Sequence, residues 1–188
     1  RIACFLRGEL HLELNEEKTL ITHARDDFAH FLGYEIHTLH ANDKHDHRGQ
    51  RCINGAIGLR VPRKVVRRWC AKYMRKGKPI HLVQRVNDSV LSIIAQYQTE
   101  YLGVVQYYRL AYNLHQLGQL KYVMEVSLTK TLAQKLRATR NQIYKRFSAY
   151  HKNEYGSYKV IAISVERGAD QTPLTARFGG IPLRWNKW

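Results

Sequence analysis

From Val90 onward, apolar residues recur at helical spacing. Val90, Leu91, Ile94, Tyr97, Tyr101, Val104, Val105, Tyr108, Ala111 and Leu114 form a nearly continuous stripe. Recurrence at three and four residues is the pattern of an amphipathic helix. Leu117-Gly118-Gln119 interrupts it, and a second run follows through Leu120, Val123, Met124, Leu128, Leu132, Leu136, Ile143 and Phe147. Two such runs around a glycine predict an antiparallel helix pair, with a further break near Thr139.

The pattern is different on either side of this pair. Leu10-His-Leu-Glu-Leu-Asn alternates apolar with polar residues and reads as a strand, Leu20 to Thr22 as a second, and Phe28 to Ile36 as a third, with Gly33 marking a bulge or a close backbone approach. Thr38 to Cys52 is polar and reads as a loop, and Ala56 to Val61 as a short strand. Pro62 suits the first position of a helix, which the pattern carries to about Arg75, where Lys76-Gly77-Lys78-Pro79 stops it. Ile80 to Asn87 is a linker. After Asn153 to Ser157 the composition changes. Tyr158 to Val165 is rich in β-branched residues and reads as a strand, and 173–184 as an extended segment with a Gly-Gly turn.

Charge changes this picture. The chain has 188 residues, 31 Lys+Arg against 15 Asp+Glu, and a formal net charge of +16, with a pI near 10.0. No Asp or Glu occurs from His47 to Asn87, a stretch dense in Arg and Lys, and between Leu120 and Lys152 the basic residues face a single acid, Glu125. Helix surfaces normally mix both signs, because opposite charges at i and i+4 support the helix. A surface with so few acids points to a polyanion and to salt-dependent binding. No run approaches the length of a membrane span, and the basic stretch lacks the apolar anchors of a membrane-surface helix. Cys4, Cys52 and Cys70 are odd in number and widely spaced, which argues against a disulfide framework and fits a reducing compartment. The start at Arg1 has neither an initiator Met nor the flanks of a signal peptide, so residue 1 is not expected to be the natural start.

Several motifs occur in a telling order: Leu12-Glu-Leu-Asn-Glu-Glu-Lys-Thr, Phe31-Leu-Gly-Tyr-Glu, Gly103 to Asn113, Ser127-Leu-Thr-Lys-Thr-Leu-Ala-Gln-Lys, and Phe178-Gly-Gly-Ile-Pro-Leu. Each is weak alone. In this order, across roughly 9–184, the chain resembles the C-terminal half of a group II intron-encoded reverse transcriptase, a maturase. The resemblance implies an α+β fold, mostly α: a short N-terminal β-hairpin of palm type, a helical thumb bundle (domain X), and a small β or irregular C-terminal segment. It divides the chain into the end of the palm (1–57), the thumb and maturase domain (58–155), and the start of a DNA-binding region (156–188). The implied partners are group II intron RNA and, for the full protein, target DNA, within a bacterial cytoplasmic ribonucleoprotein. No membrane partner is implied, and a homodimer is left open. The family's Tyr-x-Asp-Asp metal motif is absent, and Asp26-Asp27, preceded by Ala24-Arg25, does not match it. RNA-directed DNA polymerase activity, with its Mg, is therefore expected of the parent protein and not of this fragment, for which no catalytic residue, metal or cofactor is assigned.

The candidate nucleic-acid contacts are the basic residues of helices 62–76 and 120–147: Arg60, Arg63, Lys64, Arg67, Arg68, Lys72, Arg75 and Lys76, then Lys130, Lys135, Arg137, Arg140, Lys145 and Arg146, with Tyr107 and Arg109 between. Lys18 joins them through the family's Lys-Thr pair, as a lysine near phosphate. Among the tyrosines at 97, 101, 107, 108 and 112, Tyr101 and Tyr108 are expected inside and one or two others on a groove, where aromatic rings stack on bases. Ser127, Thr129 and Thr131 are expected at a helix start, where free N–H groups favour anions. Phe31-Leu-Gly-Tyr34 is a candidate grip under a primer strand. Two other functions compete. His37, His40, Asp43, His45, Asp46 and His47 would suit a metal-dependent nuclease, although the stretch lacks the anchors of a rigid site. A generic basic helical RNA- or DNA-binding protein is the other.

Overall fold

The computed structural model describes residues 2–15, 19–168 and 171–184. The chain forms two compact units, Arg1–Gly58 and Leu59–Trp188. It is mixed α and β, with small antiparallel sheets.

The first unit opens with α1 (Ile2–Glu9), a helix that the alternation argument did not anticipate. Leu10–Asn15 and Leu20–Thr22, read as strands, carry no strand in the structure. The hairpin lies further on, as β1 (Ala29–Phe31) and β2 (Tyr34–Thr38), with Phe31 opposite Tyr34. Leu32 and Gly33 both have positive φ, 46° and 77°, as a two-residue turn matched to strand twist requires. Gly33 is therefore a turn that folds the segment back on itself, and not a bulge in one long strand. Next to β2 lies β3 (Ile57–Arg60).

The second unit is built round one helix. Helix α2 (Arg63–Ala71) starts after Pro62, shorter than expected. Residues 74–79 form a minimal hairpin of β4 (Met74–Arg75) and β5 (Lys78–Pro79), turned by Lys76 and Gly77 at φ of 49° and 72°. Helix α3 (Val90–Tyr107) is capped by the Ser89 side chain. Helix α4 (Leu117–Leu136) is next, and α5 (Arg140–Phe147) opens with a full capping box between Thr139 and Gln142. The break between the two long helices falls at 108–116. Gly118 lies inside α4, where an added Cβ would meet only Leu183 Cδ1 at 3.8 Å. The chain turns earlier because Asn113, 2 % exposed, binds a remote backbone. Its Oδ1 accepts from Val61 N at 2.7 Å and its Nδ2 donates to Val61 O at 3.2 Å.

Helix α4 packs against α2, α3, α5 and β5. It is buried nearly all round, with Leu117, Leu120, Val123, Met124, Leu128 and Leu132 inside. Ser127, Thr129 and Thr131 are fully buried in its middle, so the expectation that they sit at a helix start facing phosphate is overturned. Thr129 Oγ1 donates to Glu125 O and Val126 O of its own helix, while Ser127 and Thr131 form a polar seam. Ser127 Oγ donates to Ile80 O at 2.6 Å, and Thr131 Oγ1 accepts from Leu82 N at 3.0 Å. The Tyr97 hydroxyl lies 2.8 Å from Ser127 Oγ and 3.2 Å from Thr131 Oγ1. The seam ties residues 80–82 to the core, which satisfies buried polar groups on both sides.

A three-stranded meander of β6 (Ser148–Asn153), β7 (Gly156–Val165) and β8 (Leu174–Phe178) completes the unit. Strand β6 lies within 58–155, the stretch expected to be the helical thumb. Residues 153–156 form the β6–β7 turn. Strand β8 packs on α3, placing Phe178 against Tyr97 and Tyr101 with ring centroids 6.3 and 5.6 Å apart.

Three phenols in this core carry a pH signature. Burial pushes Tyr73, Tyr97 and Tyr101 above the ordinary value of 10.0. The hydrogen bond to Glu100 raises Tyr73 further, whereas Ser127, Thr131 and Arg85 partly offset the rise at Tyr97. With each folded value above the unfolded one, their contribution is fully present below the unfolded value and is lost as pH rises toward the folded one. Each phenol then costs up to about 1.4 kcal/mol per pH unit. Urea unfolding at about pH 9 and about pH 11 checks this. A sharp loss of stability at the higher pH is expected, and equal stabilities would contradict it.

Candidate nucleic-acid interface

Helix α2 reads Arg-Lys-Val-Val-Arg-Arg-Trp-Cys-Ala and contains no acid. Val66 and Cys70 are buried. Arg63, Lys64, Arg67, Arg68 and Lys72 are all exposed. At about 100° per residue, Arg63, Lys64, Arg67 and Arg68 occupy one arc, opposite the apolar arc of Val65, Val66, Trp69 and Cys70. Among the described residues none of these four makes an ion pair. Lys72 rests its Nζ 3.8 Å above the Trp69 ring. Arg75 and Lys76 continue the exposed positive surface into the β4–β5 hairpin, and Arg60 is half-buried at the end of β3.

The far end of α3 joins this surface. Tyr108 is buried, and Tyr107 is 54 % exposed with its ring edge-on to Tyr108 at 4.9 Å. Burial raises the Tyr108 phenol, Tyr107 adds to the rise, and the nearby Arg68 charge offsets part of it. Tyr107 is thus the outward ring of the pair, edge-on to the tyrosine whose phenol feels the Arg68 charge. Tyr97 and Tyr101 are in the core, and Tyr112 is half-buried. Arg109 is exposed and lines a groove with Gln106, Tyr155 and Arg184.

The α4 lysines behave differently. Lys130 Nζ donates to Pro79 O at 2.6 Å, and Lys135 Nζ donates to Val86 O at 3.1 Å. Both are half-buried and continue the seam begun by Ser127 and Thr131. The expected one-sided basic face on this helix does not form. Its polar face holds segment 79–86, and the exposed charge begins only at the corner. There, Arg137 ends α4 in a left-handed conformation with φ of 49° and lines a groove with His81 and Gln134. On α5, Arg140, Lys145 and Arg146 are exposed, with the Arg140 guanidinium 5.9 Å from the Tyr144 ring and that of Arg146 5.3 Å from the Phe147 ring.

Lys18 lies outside the described residues. Phe31 and Leu32 are exposed at the hairpin tip, and Tyr34 is buried. In the histidine-rich loop, Asp46 Oδ1 accepts from the Arg48 and Gln50 backbone N–H groups at 2.8 and 2.9 Å, the geometry of an Asx turn. Among the described residues no group of three or more His, Cys, Asp or Glu side chains converges as metal ligands would, and no helix is long and apolar enough to cross a membrane. Sequence reasoning missed His115, Gln116 and Gln119, which share a groove with Arg63 and Arg67. Their signal was polar residues at the start of a helix, hidden by the reading of Gly118 as a break.

These features define a basic α+β protein that shows charge on an exposed helical surface. Residues 64–173 match the family described as type II intron maturase, and the chain belongs to that family, among the maturases and reverse transcriptases encoded by group II introns. It is 32 % identical over 157 residues to the group II intron-encoded protein LtrA of Lactococcus lactis subsp. cremoris, covering 78 % of this chain and 26 % of that protein. A putative COX1/OXI3 intron 1 protein of Saccharomyces cerevisiae is 31 % identical over 172 residues, covering 82 % of this chain and 20 % of the relative. The chain thus spans about a quarter or less of the length of these relatives.

Proposed function

We propose that this chain is the part of a group II intron-encoded reverse transcriptase that grips the intron RNA and so supports its splicing and mobility. One observation carries the reading: the exposed, acid-free arc of α2, backed by a tightly hydrogen-bonded core. Four like charges on one arc repel one another and gain no support from i and i+4 partners. A phosphate polymer removes that repulsion and releases counter-ions. The bound RNA then provides the splicing chemistry, and the protein stabilises the competent RNA fold by holding its phosphates in fixed geometry. Reverse transcription and contact with target DNA belong to the full protein, where Mg would serve the polymerase site. The setting is a ribonucleoprotein in the bacterial cytoplasm.

The test is competition. Binding of the cognate intron RNA and of an unrelated RNA duplex of equal length is measured across a salt series. The intron RNA is expected to bind at least about tenfold tighter, with both affinities falling steeply as salt rises. Equal affinities would favour a generic basic RNA-binding protein and overturn the maturase reading.

A further inference from the structure

Between α2 and the start of α4 runs a groove of about 440 Å³, lined by Arg63, Val66, Arg67, His115, Gln116 and Gln119. It differs from the rest of the basic surface in its chemistry. Elsewhere the exposed groups on α2 are cations, which only donate hydrogen bonds. Here two carboxamides and an imidazole stand beside two guanidinium groups. None of these five polar side chains has a hydrogen bond or ion pair to another described residue. Gln116 is half-buried and Gln119 is exposed. Their spacing of three residues puts them on one side of the chain as it enters α4.

A phosphate oxygen accepts hydrogen bonds and never donates one. An array built for phosphate alone has no use for the carbonyl half of a carboxamide. The ribose 2′-hydroxyl both donates and accepts, and it lines the wide, shallow minor groove of an A-form duplex, between two rows of phosphates. The carboxamide matches that hydroxyl, and the guanidinium matches the flanking phosphate. We propose that this groove reads the sugar edge of an RNA duplex, with Gln116 and Gln119 taking 2′-hydroxyls while Arg63 and Arg67 hold the adjacent phosphates. The inference rests on the reading above that the chain binds RNA, and adds how the chain tells RNA from DNA.

The experiment uses the full chain and three duplexes of one sequence: RNA, DNA, and RNA with 2′-deoxy substitutions in a short block. Wild-type protein is expected to prefer RNA, and to bind the deoxy-substituted duplex less tightly. In the double variant Gln116→Ala/Gln119→Ala, the RNA-to-DNA affinity ratio is expected to fall by about three- to tenfold, the worth of one or two hydrogen bonds. The salt slope should stay as in wild type. Gln119→Ala alone, at an exposed position, should give a smaller fall in the same direction with thermal stability unchanged. An unchanged ratio in the double variant overturns the proposal, as does an equal loss for RNA and DNA, which would make the carboxamides phosphate contacts. Failure of wild-type protein to bind any RNA would instead sink the underlying reading, and it would be seen before any variant is made.

Discussion

Replacing Arg63, Lys64, Arg67 and Arg68 together by Ala is expected to lower RNA affinity by about three decades at roughly 0.1 M salt, and to flatten its salt dependence. The reasoning is electrostatic. Each cation that neutralises a phosphate contributes about 0.7 to 0.9 to the slope of log K against log salt. Four such contacts contribute about three, and a slope of three extrapolated from molar to decimolar salt is a factor of about a thousand. The variant should fold normally. All four side chains are exposed, alanine is the best helix former, and removing like charges relieves repulsion. Thermal stability is expected to stay within about 0.5 kcal/mol of wild type. The contrast lies on α4. Lys130→Ala and Lys135→Ala remove hydrogen bonds to Pro79 O and Val86 O, so they should lower stability and leave the salt slope nearly as it was. An unchanged slope in the α2 variant would remove that helix from the interface. A large slope change in the α4 variants would show that those lysines reach RNA in spite of their carbonyl partners.

The difference between the two sets of lysines and arginines shows what the sequence could and could not disclose. A run such as Arg63 to Cys70, with Val65, Val66, Trp69 and Cys70 spaced for one face, announces both a helix and a free cationic side. The signal is local, and so is the structure. The same holds for the capping box at Thr139 and Gln142 and for the β-branched run at 158–165. The Lys130 and Lys135 contacts are not local, since their carbonyl partners lie 51 and 49 residues away. Pattern alone cannot tell a lysine that faces solvent from one that pins a distant strap. Buried Ser127, Thr129 and Thr131 misled in the same way, because a hydroxyl satisfied inside the core reads as a polar surface. The end of α3 depends on Asn113 meeting Val61, 52 residues away, whereas Gly118 drew the expected break by its identity alone. Strand β6 exists because β7 pairs with it, and Ser148 to Asn153 carries little strand signal of its own. At Leu10–Asn15 the converse holds. Alternation is present, but a strand also needs a hydrogen-bonding neighbour. The motifs Gly103–Asn113, Ser127–Lys135 and Phe178–Leu183, which carried the family resemblance, hold residues that fix the fold, so recognising the family located the scaffold better than the site.

Phe178→Ala is expected to cost about 3–5 kcal/mol and to lower the melting temperature of the second unit by on the order of 10 °C. The ring is 1 % exposed and fills the space between Tyr97 and Tyr101. The next peptide is held as well: Gly179 N donates to Gln98 Oε1 at 2.9 Å, and Gln98 Nε2 donates to Gly179 O at 3.5 Å. A cavity here would open between β8 and α3 and remove contacts from both. The prediction therefore concerns cooperativity. If the meander and the helices are one folding unit, a single transition should shift as a whole, whether followed by helix content or by tyrosine environment. If residues 156–184 form a separate module, the helical transition should stay in place while a second one moves. Gly180→Ala probes the same junction without a large cavity. Gly180 has φ of 73°, and an added Cβ would lie 3.2 Å from His151 Cδ2 and 3.3 Å from Val160 Cγ1. Backbone strain and crowding add there, and a loss of about 1–2 kcal/mol is expected. Its transition should move with that of Phe178→Ala. Two variants in the C-terminal segment that leave the melting of α3 and α4 untouched would mean that the geometry of the Phe-Gly-Gly segment serves something other than holding the sheet to the helices.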